Sequence, residues 1–68
     1  MSKHILTKRE KEVFDLLVLN ETTKEIAREM GISEKTVRNH ISNVMQKLGV
    51  SGRAGAVVEL LKLGEISI

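Results

Sequence analysis

The chain has 68 residues, no Cys, no Trp, no Tyr, no Pro and one Phe, and its 11 Lys and Arg against 9 Asp and Glu give a formal charge of +2. That composition excludes disulfides and thiolate metal sites and leaves one small domain with an aliphatic core, burying roughly 60% of its extended surface. The apolar runs LLVL and AVV are far below the ~20 residues of a membrane span, and MSKHILTK lacks the apolar stretch of a signal peptide, so a soluble, cytoplasmic chain without membrane contact is expected.

Four helices follow in chain order. Thr7-Lys8-Arg9-Glu10 has the form of a capping box, in which a Thr oxygen and a Glu carboxylate satisfy orphan N–H groups. The helix behind it turns Val13, Phe14, Leu16 and Leu17 to one side and ends near Leu19-Asn20. Thr22-Thr23-Lys24-Glu25 is a second capping box. Its short helix, about 23–30, puts Ile26, Ala27 and Met30 inward and stops at Gly31, which suits the left-handed position after a helix.

Ser33 can cap a third helix, about 34–48, closed by Gly49. At 100° per residue its Val37, Ile41, Val44 and Leu48 fall within about 60° of one another as a narrow buried stripe. Lys35, Asn39, Ser42, Asn43 and Gln46 point the other way. Arg38 lies at one margin, and His40 and Lys47 lie at the other. Ser51 can cap a fourth helix, about 53–63, before Gly64. No sustained period-two pattern and no internal repeat is present. The tail ISI is too short to assign. The expected fold class is all-α, four helices, in a single domain over 1–68.

A short helix, a tight Gly turn and a longer helix make a helix-turn-helix, here Thr23–Met30 and Glu34–Leu48. Charge supports a DNA role. Residues 1–34 carry six bases and seven acids, whereas residues 35–58 carry Lys35, Arg38, Lys47 and Arg53 and no acid. Arg suits guanine edges, Asn and Gln suit adenine, and Ser suits either. Lys35, Arg38, Asn39, Ser42, Asn43 and Gln46 therefore form a base-reading set for a major groove. Ser33 and Thr36 lie beside free N–H groups at a helix start, and so do Thr22, Thr23 and Lys24. Each group suits a phosphate, though Ser33 and Thr36 serve equally well as plain cap residues. Lys47 and Arg53 reach phosphates further along. Such contacts position the protein and do not specify sequence.

Other chemistries fit less well. GVSGRAG is not G-x-G-x-x-G and follows no strand, so it is read as a helix stop and a close-packed helix start. His4 and His40 are far apart and there is no Cys, which argues against zinc. His40 is read as a phosphate donor or as packing on the neighbouring helix. Glu10, Glu25 and Glu29 read as caps and surface neighbours, and nothing resembles a nucleophile with its base. No enzyme activity, cofactor or metal is expected.

LTKREKEVFDLL, TTKEIAREMGISEKTVRNHISNVMQKLGV and GRAGAVVELLKLGE together resemble the LuxR/FixJ class of transcription regulators, from about Leu6 to Glu65. The LT-x-RE start, the KEIA helix, the IS-x-KTV turn and the H-x-x-x-x-x-KLGV end all agree. TTKEIA, ISEKTVRNHISN and MQKLGV look close to those of a small stand-alone member that acts in spore formation. The resemblance implies a bacterial, nucleoid-associated, sequence-specific reader of double-stranded DNA that controls promoters as a homodimer, with RNA polymerase as a further partner. It implies that the third helix enters the major groove and the fourth makes the dimer. Carried over by position, Arg38, Asn39 and Ser42 face bases, while Lys35, Thr36, His40 and Lys47 lie toward the backbone. Many relatives carry a basic residue where this chain has Ser42, so their base preference does not transfer.

The fourth helix supports a dimer by its own pattern. Ala54, Val57 and Leu61 share one side, expected to face the core. Ala56, Leu60 and Leu63 form a second apolar stripe about 90° or more away, expected to be the dimer interface. The alternative is that the N-terminal segment or the ISI tail covers that stripe. A rival function is a protein-interaction module using the same stripe, with DNA binding weak or absent. Met1 close to the first helix and the near whole-chain resemblance favour a complete protein.

Overall fold

The computed structural model describes residues 5–68 and contains four helices: α1 (Lys8–Leu17), α2 (Thr23–Met30), α3 (Glu34–Leu48) and α4 (Arg53–Lys62). No strand occurs among the described residues, and none of their helices is long and apolar enough to cross a membrane. The all-α expectation holds. The reading of His4 lies outside the described residues.

Both capping boxes form as their spacing requires. The Glu10 peptide N–H donates to Thr7 Oγ1 at 3.1 Å, and the Thr7 N–H donates to Glu10 Oε1 at 2.9 Å. Thr22 and Glu25 repeat the exchange at 3.1 and 2.8 Å. Asn20 ends the turn after α1 in the left-handed region, φ 68°, which Asn tolerates better than most residues. Gly31 takes the same conformation after α2, φ 68°, and the Ile32 N–H then returns to the Ala27 carbonyl at 3.0 Å. That left-handed residue ends α2, and α3 begins three residues later at Glu34. Ser33 caps α3, accepting from the Thr36 N–H at 3.0 Å.

The core is a single aliphatic cluster around Phe14, with Leu6, Val13, Ile26, Ala27, Val37, Ile41, Val44, Ala56, Leu60 and Ile66. α3 runs through it and packs against each of the other helices. Its stripe is buried at Val37, Ile41 and Val44 and only half-buried at Leu48. Each fully buried side chain of this size contributes about 1.5–3 kcal/mol. The stripe thus fixes which face of α3 is left for solvent.

Two expectations for the C-terminal region are corrected. α4 is capped by Gly52 without a side-chain hydrogen bond, not by Ser51. Its apolar residues are also not divided as expected, although Val57 and Leu61 do pack against the edge of the core. Ala56 and Leu60, expected at a dimer interface, are fully buried inside the subunit. Ala54 is exposed, and Val57 and Leu61 are half-buried at the outer side with Val58. Ala56 and Leu60 are the side of α4 that joins the core, where α4 packs against α3. Leu63 is 51% exposed because it lies at the C-cap, beyond the last turn. The chain then turns at Gly64 and inserts Ile66 into the core in its place.

Candidate nucleic-acid interface

Exposed polar residues lie at the starts of α2 and α3 and along the outer face of α3. Lys35, Arg38, Asn39, Ser42, Asn43 and Gln46 are all exposed on α3. The backing stripe is rigid, so these side chains are displayed from a fixed helix rather than from a loop. The sequence-predicted base readers Lys35, Arg38, Asn39 and Ser42 thus share one open face.

The backbone-contact set divides. Ser33 and Thr36 stand at the start of α3, their hydroxyls 2.9 Å apart. Both take part in the cap, and both remain accessible, Thr36 partly so. Thr22 caps α2, Lys24 is exposed in its first turn, and Thr23 is half-buried. Arg53 opens α4 and joins Arg38, Ser42 and Ser51 around a shallow cleft between α3 and α4. His40 is half-buried at the margin of α3.

Lys47 makes a contact that the sequence did not suggest. Its ammonium pairs with the Glu10 carboxylate and donates to the Ile5 carbonyl at 3.2 Å. It ties α3 to the start of α1 and stays partly exposed. Glu10 itself is buried. Burial raises its pKa, but the Lys47 ammonium and the Thr7 donors outweigh that and hold the carboxyl below its ordinary 4.5. Sequence reasoning saw Glu10 only as a cap, because its second partner lies 37 residues away.

Two further acids escaped the sequence reading. Glu34, the first residue of α3, lies immediately before the acid-free window, and its Oε1 is 3.6 Å from Arg38 Nη1. The i,i+4 spacing on a helix was the available signal. Glu21, just before α2, has one carboxyl oxygen buried without a hydrogen-bond partner. The neighbouring Glu29 carboxyl, burial and the charge of Glu25 push its pKa up to about 7.

On the opposite side of the α4 start, Leu17, Ala54, Val57 and Val58 line an open apolar cleft edged by Asn20, Thr22 and Arg53. This is the exposed apolar surface of α4. It differs from the stripe the sequence suggested.

The family profile described as bacterial regulatory proteins, luxR family, matches residues 4–60. The chain belongs to the luxR family of bacterial regulatory proteins. It is 72% identical over 67 residues to the spore germination protein GerE of Bacillus subtilis (strain 168), covering 98% of this chain and 90% of that one. The transcriptional regulatory protein DegU of Brevibacillus brevis is 46% identical over 65 residues, which is 96% of this chain but 28% of DegU. A solved structure of the transcription factor GerE superposes with a TM-score of 0.92 at 62% identity, covering 96% of this chain and 97% of its own. The four-helix luxR-type helix-turn-helix fold is therefore established. The chain is a homologue of transcription regulators, not of enzymes.

Proposed function

We propose that this luxR-family regulator reads double-stranded DNA by laying the outer face of α3 in the major groove, as a homodimer on two half-sites. One observation carries the reading: the exposed face of α3 is lined with Lys35, Arg38, Asn39, Ser42, Asn43 and Gln46 while its opposite face is locked into the core. Arg38, Asn39 and Ser42, with Lys35, read base edges. Thr22, Thr23, Lys24, Ser33, Thr36, His40 and Arg53 set the register on phosphates. Lys47 holds α3 to α1 behind them.

The second copy docks on the outer side of α4, through Ala54, Val57, Val58 and Leu61 with Leu17 of α1. This replaces the stripe of Ala56, Leu60 and Leu63. Arg53 lies where that apolar face meets the polar one, so pairing two α4 helices places two α3 helices on one side of a duplex. Half-sites roughly one turn, ~34 Å, apart follow from that geometry. The likeness to a protein named for spore germination supports target genes in spore formation. The working place is then the bacterial cytoplasm on the nucleoid, and promoter control brings RNA polymerase as a partner.

Selection from a random duplex pool tests the reading. An enriched pair of half-sites at fixed spacing is expected. Binding without enrichment, or no binding at any salt, overturns it.

A further inference from the structure

We infer that Glu34 is a positioning residue for base reading: its carboxylate steadies the Arg38 guanidinium over the groove-facing side of α3 and keeps that side from holding phosphates indiscriminately. The inference rests on the DNA-reading function proposed above.

Glu34 is the only acid in α3, and it stands one turn before Arg38 with Oε1 3.6 Å from Nη1. Both side chains are about half exposed, at 48% and 57%. A solvent-exposed pair of this kind adds little to folding stability. Its consequence lies in what it does to Arg38. A guanidinium has more N–H donors than one carboxylate can use. Glu34 engages Nη1, which leaves the rest of the fork for guanine O6 and N7. The nearby carboxylate narrows the positions the guanidinium samples, so less freedom is lost when it meets a base.

Charge completes the argument. Non-specific binding is driven by cations against phosphate. Glu34 opposes that attraction at the first turn of α3, where Ser33 and Thr36 otherwise favour an anion. A guanine edge is uncharged and is not repelled in the same way. The carboxylate therefore weakens the phosphate-driven part common to every duplex, while the Arg38 base contact that it aligns is made only on the preferred one. Arg38 alone would favour both.

Site selection and quantitative binding are measured for four proteins: unsubstituted, Glu34→Gln, Arg38→Ala, and the double variant. Glu34→Gln keeps the shape and removes the charge. It is expected to raise affinity for unrelated duplex about threefold or more and to flatten preference at the Arg38 base position by about tenfold. In the Arg38→Ala background, Glu34→Gln is expected to leave base preference unchanged. An unaltered base preference in Glu34→Gln overturns the inference, as does a change that persists without Arg38. A role confined to the helix end would lower the melting temperature and leave base preference intact, and that outcome also overturns it. If the unsubstituted protein selects no sequence, DNA reading itself fails and the inference goes with it.

Discussion

The Lys47 ammonium on α3 is bonded to the Glu10 carboxylate at the start of α1, two groups 37 residues apart in the chain. Glu10 is buried and also closes the capping box of α1. One carboxylate thus serves a local helix start and a long-range clamp on α3. Lys47→Met removes the clamp and leaves the carboxylate buried without its cation. Lys47 is partly exposed, so the expected loss is about 1–3 kcal/mol, below that of a fully buried pair. Glu10→Gln in the same chain keeps an acceptor for the Thr7 N–H and removes the stranded charge. The double variant is therefore expected to be more stable than Lys47→Met alone. Urea unfolding decides it, and an unchanged midpoint for Lys47→Met rejects the clamp.

Two carboxyls give the fold opposite pH limbs. Glu10 has a lowered pKa in the folded state, so its stabilisation is present above its unfolded value of 4.5 and is lost as pH falls through the folded value. Glu21 has a raised one, pushed up to about 7 by the Glu29 carboxyl, burial and Glu25. Its contribution is full below 4.5 and is lost as pH rises through about 7. Melting temperature should fall on acidification below about pH 4.5 and also fall between about pH 5 and 8. Glu21→Gln should flatten the second limb and leave the first. A melting temperature indifferent to pH across the neutral range in the unsubstituted protein rejects the carboxyl contact at Glu21.

What the sequence made legible was local. Thr7–Glu10 and Thr22–Glu25 announce helix starts because a capping box closes within one turn, and Gly31 and Gly49 announce stops because only the left-handed region lets the chain leave there. The inner face of α3 was legible because Val37, Ile41 and Val44 recur on one side among polar neighbours. α4 was ambiguous for the opposite reason. It is apolar on two sides, and periodicity cannot say which side meets α3. That choice depends on which residues the assembled core admits, Ala56 and Leu60 of α4 and Ile66 of the tail. The Lys47 pairing was hidden for a related cause: its place at the margin of α3 was visible, its distant acid was not.

Base readers and phosphate holders should separate in binding experiments. Arg38→Ala or Asn39→Ala is expected to cost about 1–3 kcal/mol on the preferred site and to relax choice at one base position. Lys24→Ala or Arg53→Ala should weaken all duplexes about equally and reduce the slope of log affinity against log salt by about 1. Fluorescence anisotropy over a salt series supplies both quantities. Equal losses from all four changes on every sequence would leave α3 a phosphate-binding helix without a code.

The two faces of α4 predict contrary outcomes for similar substitutions. Leu60 is fully buried, so Leu60→Ala should destabilise each subunit by about 2–5 kcal/mol whether or not a dimer forms. Val58 is 51% exposed on the outer side, where a charge meets water in the lone subunit. Val58→Asp should leave the helical content and melting of the isolated subunit nearly unchanged. In a dimer it places two carboxylates in an apolar contact, which neither copy can relieve without separating. Sedimentation at rising concentration should therefore show the unsubstituted chain as a dimer and Val58→Asp as a monomer. The monomer should retain binding to a single half-site and lose the dependence on half-site spacing. A dimer that survives Val58→Asp moves the interface off the outer side of α4, and the spacing of half-sites would then have to be set by another surface.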